Sequence, residues 1–194
     1  MNNPLTYAAM AAILTFGTLA HGAQPGVKAL SVHEDATRQT VLVGRNLAEG
    51  MIVTFEIEGA EWMRMPMGNP PKWSDHPIMK GDIYHLEVKP VDPKSGTRIS
   101  YAEVKFSAVN RDNGKTVSGK LHPSWGGTGL HYAANSPLAG DGTYETTITV
   151  GVPAFGRVAD NKDMWMKPVV TQFHLKLAGG KVVEVSEPVE EARK

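Results

Sequence analysis

The segment Tyr-Glu-Thr-Thr-Ile-Thr-Val at residues 144–150 alternates apolar and polar side chains with a period of two. Successive side chains on a β-strand point to opposite faces, so this pattern predicts a strand with one buried and one solvent-exposed face. Two short segments, 41–43 and 116–121, indicate further strands. The same clear alternation recurs at residues 51–58, 84–89, 102–108 and 169–177.

Turn-forming sequences separate these segments. Asp112-Asn113-Gly114 and Gly179-Gly180 predict tight hairpins, because Asn and Gly accept the positive φ angles that such turns need. No stretch after residue 30 has the apolar period of an amphipathic helix. About seven strands joined by regular turns predict an all-β protein with an immunoglobulin-like antiparallel β-sandwich fold.

The composition excludes several classes of protein. The 194 residues contain no Cys, which excludes disulfide frameworks, Cys-ligated zinc, iron–sulfur clusters, thiol catalysis and blue copper. Lys plus Arg number 20 and Asp plus Glu number 20, and this zero net charge argues against nucleic-acid binding. The chain has no Gly-x-Ser-x-Gly, phosphate-loop or His-Glu-x-x-His motif, so we expect that it is not an enzyme.

The N-terminus has the pattern of an export signal. An apolar run at residues 8–20 is too short to span a bilayer, and the first charged side chain is Lys28. Ala20-His21-Gly22 places small residues at the positions before a cleavage site. We therefore predict a signal peptide at residues 1–22, cleavage before Ala23 and a soluble periplasmic product. A frayed or buried N-terminal helix is the alternative.

The mature chain is predicted to hold one domain at residues 23–183 and a charged C-terminal tail at 184–194. Two long connections interrupt the strands, at residues 60–80 and 122–140. Long loops in a compact domain are usually functional or disordered, and the Trp, Met and His content of these two argues against disorder.

Two sets of His residues could carry chemistry. His85 and Glu87 are two apart on a predicted strand, so an imidazole and a carboxylate share one face and could ligate one metal ion. The alternative is an ordinary solvated strand face. His122 and His131 are nine apart and would meet only if the glycine-rich run 126–129 folds back. The alternative is one surface His and one His packed on Trp125.

Three alternating methionines form another candidate group. Met63, Met65 and Met67 would present their thioethers together on an extended segment, and thioethers favour Cu(I). The alternative is that Met fills irregular core gaps beside Trp62.

Several segments occur in an order that resembles a known family. They are Asp82 to Glu87, a hairpin through Gly114, Gly129 to Asn135, the strand from Gly140 to Val152, and Trp165 to Pro168. Together they resemble the periplasmic iron-transport protein family (the Tpd type, Fe²⁺ transport proteins). The resemblance implies a homodimeric immunoglobulin-like sandwich that binds copper or iron near the dimer interface and serves an inner-membrane iron permease.

The resemblance also implies a ligand set, which this chain matches in part. The matching positions are His85, Glu87 and His131. The family's Met position falls on Ser124, and the segment 152–164 lacks the later His that the family carries. His122, two residues before Ser124, is the candidate replacement ligand.

These observations predict a periplasmic protein that handles a divalent metal ion, Fe or Cu, and delivers it to an inner-membrane permease. Neutral imidazole and carboxylate also suit Mn(II) and Zn(II), so the donor types alone leave the metal open. The alternative function is an exported protein–protein interaction module with a vestigial metal site.

Overall fold

The computed structural model of the protein describes residues 25–187, and these residues form twelve β-strands and one short 3-10 turn. Alternation of apolar and polar side chains produces the regular strands, and Gly or Asp-Asn turns end them. The bounds are β1 Val27–Glu34, β2 Val41–Ala48, β3 Met51–Gly59, β4 Met63–Met67, β5 Lys72–His76, β6 Tyr84–Val91, β7 Val104–Asn110, β8 Thr116–Gly126, β9 Gly129–Ser136, β10 Gly142–Val150, β11 Val169–Ala178 and β12 Lys181–Ser186, with the 3-10 turn at Ala159–Asn161.

Ten of these strands form two antiparallel sheets that share β8. The first sheet has the order β1-β12-β11-β10-β7-β8, and the second has the order β8-β9-β6-β3-β2. Residues 116–121 of β8 pair with β7, whereas residues 122–126 pair with β9. The edge strand β2 also contacts the first sheet, because Asn46 Nδ2 on β2 donates to the Gln172 carbonyl on β11 at 2.8 Å. The predicted all-β antiparallel fold is confirmed, and its immunoglobulin-like connectivity stays a prediction.

The core lies between the two sheets and is built from the inward face of each strand. Phe55 on β3 meets Phe173 on β11 with ring centroids 5.5 Å apart, so the two sheets interdigitate at this point. Each of these fully buried large side chains stabilises the fold by about 1.5–3 kcal/mol.

The sequence predicts long loops at residues 60–80 and 122–140, and this prediction is wrong, because both segments contain β-strands. Residues 60–80 contain the separate β4–β5 hairpin, in which Met63 lies opposite His76. Residues 122–140 contain the end of β8 and all of β9, joined by a tight turn at Gly127-Thr128. The glycine-rich run is the turn of a hairpin, which allows β9 to pair with β6 in the middle of the second sheet.

The predicted turns are largely correct. Gly179 and Gly180 have φ angles of 59° and 74° and join β11 to β12. The Asp112–Gly114 segment lies in the β7–β8 hairpin, but only Gly114, at φ 72°, has the positive angle. Asn113 lacks it because the connection contains five residues, 111–115, instead of two.

The predicted boundaries of the signal peptide and of the C-terminal tail can be compared with the residues that the structure describes. The tail cannot begin at residue 184, because Glu184 to Ser186 pair within β12. The signal peptide at residues 1–22 and the chain from residue 188 onward lie outside the described residues. Between residues 25 and 187, no helix has the length and apolar character needed to cross a membrane.

Candidate metal centre

Strand β6 is buried on both faces, although its two faces differ in chemistry. Tyr84, Leu86 and Val88 point into the apolar core. The outward residues are polar and yet hardly exposed: 1% for His85, 6% for Glu87 and 4% for Lys89. Buried charged side chains are rare unless they are paired. The alternative of a solvated polar face is therefore wrong for this strand.

The structure brings His85, Glu87 and His131 together. One potential ligand atom from each lies within 4.8 Å of the others, and His131 Nε2 is 3.3 Å from Glu87 Oε1. The register explains this grouping, since Glu87 on β6 lies opposite Ala133 on β9 and His131 is two residues further along on the same face. Two of the three side chains share β6, and the third comes from its hydrogen-bonded neighbour.

Both imidazole rings are fixed by hydrogen bonds at Nδ1. His131 Nδ1–H donates to the Gly129 carbonyl at 2.9 Å, and His85 Nδ1–H donates to the Asn135 side-chain oxygen at 2.9 Å. Because both acceptors are carbonyl oxygens, Nδ1 carries the hydrogen, and the neutral ring keeps its lone pair on Nε2. This is the arrangement found around metal-bound histidines, where the outer nitrogen is held by a carbonyl or carboxylate.

Asn135 is held in turn by the segment that leads into the β4–β5 hairpin. The Glu61 backbone N–H donates to Asn135 Oδ1 at 3.1 Å, and Asn135 Nδ2 donates to the Glu61 carbonyl at 2.7 Å. These two bonds fix which end of the amide faces His85. Asn135 ends the Gly129 to Asn135 segment on which the family resemblance rests, but the sequence predicts no role for it.

Glu87 is shared between His131 and a buried lysine. Its Oε2 atom is 2.9 Å from Lys89 Nζ, and Lys89 also forms an ion pair with Glu56 on β3. Burial alone would raise the pKa of Glu87, but the Lys89 hydrogen bond and the nearby His131 outweigh it and lower that pKa. Glu87 is therefore ionised and ready to bind a cation. Lys89 and Glu56 were not predicted from the sequence as part of the site, although Lys89 continues the His85–Glu87 spacing.

A second acidic group adjoins the first. Glu58, Glu61 and His85 also offer ligand atoms within 4.8 Å of one another. Burial raises the pKa of Glu58, and its hydrogen bond from Thr40 only partly opposes that shift. His85 thus lies between a buried His–Glu group and a more exposed acidic group.

The structure does not bring His122 into either group. His122 lies opposite Ala133, on the same face as the cluster but separated from Glu87 by the whole of β9. Among residues 25–187, it belongs to no set of three potential ligands that approach each other. Burial, with smaller effects of Lys120 and His76, lowers its pKa. Ser124 lies directly opposite His131, so a longer side chain there would point toward that imidazole.

A cleft of about 520 Å³ opens over His85 and His131. Met63 and Met65 form part of its wall, and Met65 is only 7% exposed. Three tryptophans line the same cleft with much of their surface in solvent; these are Trp62 (56% exposed), Trp73 (67%) and Trp125 (82%). Met67 is 47% exposed and does not line the cleft. The structure thus places two of the three alternating methionines in the wall of the cleft that His85 and His131 also line.

A buried His–Glu–His group on the outer face of an antiparallel β-sandwich is typical of a metal-binding protein. Residues 31–179 match the family model described as Fe²⁺ transport protein, and the chain belongs to that family. The resemblance noted from the sequence is therefore confirmed. A comparison with curated protein sequences finds no match.

Solved structures show the same fold. FetP of uropathogenic Escherichia coli strain F11 is 22% identical, covers 72% of this chain and 97% of its own, and gives a TM-score of 0.57. A copper-bound variant of the P19 protein of Campylobacter jejuni is also 22% identical, with coverages of 72% and 98% and a TM-score of 0.59. Copper-reconstituted P19 gives a TM-score of 0.58 at 22% identity, with coverages of 72% and 97%. At this identity the likeness concerns the fold.

Proposed function

We propose that this protein binds one divalent iron or copper ion through His85, Glu87 and His131. The observation that carries the proposal is the convergence of three buried donors, with both imidazoles held at Nδ1 so that Nε2 is available. Membership of the Fe²⁺ transport protein family and the copper-bound states of FetP and P19 support it.

The donor set fits a borderline divalent ion. Atoms bound to one ion at about 2.0–2.2 Å in a tetrahedral arrangement lie about 3.3–3.6 Å apart. The 3.3 Å between His131 Nε2 and Glu87 Oε1 matches that spacing. Two imidazoles and one carboxylate suit Fe(II), Cu(II) or Zn(II), and three protein donors leave at least one position for water. With Ser124 in place of a thioether, we expect weaker Cu(I) binding than in relatives that carry Met there.

The wider role that we propose is metal handling in the periplasm without catalysis. The apolar run at residues 8–20 supports export, and the family supports delivery of the ion to an inner-membrane permease. We also propose a homodimer, supported by the exposed Trp62 and Trp73 beside the cleft, which would form an apolar patch on a monomer. Light scattering over a range of concentrations tests the dimer, and a constant monomer mass would contradict it.

Calorimetric titration of the metal-free protein tests the metal site. We expect wild type to bind one Cu(II), and one Fe(II) under anaerobic conditions, and we expect His131→Ala to weaken both by about a hundredfold or more. His33→Ala is the matched control, because His33 lies on β1 in the other sheet and is solvent-exposed. Equal affinity in wild type and His131→Ala, or no binding by wild type, would refute the site.

A protein-interaction module is the second candidate function. The specific observation in its favour is the exposure of Trp125, 82%, at the tip of the β8–β9 hairpin. The same titration separates the two candidates, because an interaction module with a vestigial site would show no high-affinity metal binding.

A further inference from the structure

The ammonium of Lys89 lies between two carboxylates, in a position that a second metal ion could otherwise take. Its side chain is 5% exposed, and its ammonium contacts two carboxylates, Glu87 at 2.9 Å and Glu56 on the neighbouring strand. Both carboxylates are largely buried, with side-chain exposures of 8% for Glu87 and 18% for Glu56. A buried ion group of this kind persists only when each charge has close partners.

The backbone register creates this pair of carboxylates. Glu56 on β3 lies directly opposite Glu87 on β6, and their side chains point to the same outer face. Like charges placed directly opposite each other destabilise a sheet unless a cation lies between them. Lys89 comes from the next outward position of β6 and supplies that cation from within the chain.

We infer that Lys89 is a specificity-determining residue of the proposed metal site. Its ammonium acts as a tethered cation between the carboxylates of Glu56 and Glu87, and it leaves Glu87 only one oxygen for a metal. This inference rests on the proposed function. Glu87 Oε1 faces His131 at 3.3 Å, and Oε2 faces Lys89 at 2.9 Å, so the two oxygens have separate partners.

The consequence is a bias in the choice of metal. Ions that prefer oxygen donors, such as Mn(II), gain most from a bidentate carboxylate or from a second carboxylate. Imidazole suits Cu(II), which gains relatively little from another oxygen. With Lys89 in place, the site offers two imidazoles and a single carboxylate oxygen, and the donor set favours Cu(II) over Mn(II).

A purely structural role for Lys89 makes a different prediction. If the ammonium only neutralised two buried carboxylates, its removal would change stability and would change the affinity for all divalent ions by the same factor. A specificity role changes the ratio between a metal that prefers oxygen and one that prefers nitrogen. The ratio of Mn(II) to Cu(II) affinity is therefore the deciding quantity.

The experiment titrates the metal-free full-length mature protein with Mn(II) and with Cu(II). Lys89→Met keeps the length of the side chain and removes its charge, and we expect the Mn(II)-to-Cu(II) affinity ratio to rise about tenfold. Lys105→Met is the matched control, because Lys105 is an exposed lysine paired with Glu103 at 3.1 Å on the other sheet, and its ratio should equal that of wild type.

A second variant keeps the test decisive if Lys89→Met does not fold. Lys89→Met combined with Glu56→Gln removes one charge of each sign, so it leaves the net charge of the group unchanged and still frees Glu87 Oε2. We expect its ratio to exceed that of wild type by about threefold to tenfold. A wild-type ratio in whichever of the two variants folds would overturn the inference. Loss of binding in wild type itself would instead refute the proposed function.

Discussion

Replacement of Asn135 by Ala tests whether the imidazole of His85 is held in place for metal binding. Asn135 makes three hydrogen bonds, from His85 Nδ1 at 2.9 Å, from the Glu61 N–H at 3.1 Å and to the Glu61 carbonyl at 2.7 Å. Asn135→Ala removes all three and leaves His85 Nδ1 without its acceptor. The ring can then turn or take the other tautomer, in which Nε2 carries the hydrogen and cannot ligate.

The expected size of the effect follows from these bonds. Each contributes about 0.5–1.5 kcal/mol, so loss of all three should lower the free energy of unfolding by about 1.5–4.5 kcal/mol. Loss of a group that orients a metal ligand weakens metal binding by about tenfold to a hundredfold. Asn135→Asp keeps an acceptor for His85 but loses the donor to Glu61, so it should retain metal affinity while losing part of the stability.

The assay is urea unfolding of the metal-free protein together with calorimetric titration by Cu(II). Asn113→Ala is the matched control, because the Asn113 side chain also makes two hydrogen bonds, to the Ala139 carbonyl and from the Lys115 N–H, and neither involves a proposed metal ligand. It should lower stability and leave Cu(II) affinity unchanged. If Asn135→Ala bound Cu(II) as tightly as Asn113→Ala does, Asn135 would have no positioning role.

Substitutions at three further positions, His122, Ser124 and Gly126, test separate features of the account. Burial lowers the pKa of His122, so as the pH falls the unfolded chain takes up a proton before the folded chain does, and the free energy of unfolding decreases below about pH 6.5. In urea unfolding, His122→Asn should make this decrease smaller. Parallel curves of stability against pH for the two proteins would contradict the burial effect. His122→Ala should also leave Cu(II) affinity unchanged, whereas a loss equal to that of His131→Ala would make His122 a ligand. Ser124→Met places a thioether opposite His131 and should tighten Cu(I) binding by about tenfold in a competition assay with a chromogenic chelator, with no gain counting against the placement. Gly126→Ala puts a methyl group 3.1 Å from the His131 ring and should weaken Cu(II) binding by about threefold to tenfold, whereas Gly127→Ala meets no atom within 4 Å and should be silent.

The strands that alternate cleanly were predictable from the sequence, and short parts of β2 and β8 were predicted as well, whereas β1, β4, β5, β9 and β12 were not. β10 and β11 show an unbroken period of two because each has one face in the core. β4 contains Pro66 and lies outside the main sheets, so burial imposes no such period on it. β9 could not be recognised from periodicity, because the turn that leads into it is rich in Gly and its partner strand β6 is buried on both faces.

The residues of the candidate site were likewise only partly predictable from the sequence. Strand periodicity predicts that His85 and Glu87 share a face, because that property is local to β6. His131 could be added only through the family resemblance, since its approach depends on the pairing of β9 with β6. Lys89 and Asn135 were missed because their roles depend on which residues lie opposite or beside them across β3, β6 and β9. The spacing of residues along the sequence does not reveal how β3, β6 and β9 are aligned with one another.

Anomalous X-ray diffraction from crystals of the full-length mature protein loaded with Cu(II) tests the central claim most directly. The account predicts one anomalous peak per chain, at about 2.0–2.2 Å from Nε2 of His85, Nε2 of His131 and Oε1 of Glu87. A strong peak at His122, or one between the thioethers of Met63 and Met65 with none at the His85–Glu87–His131 group, would contradict it.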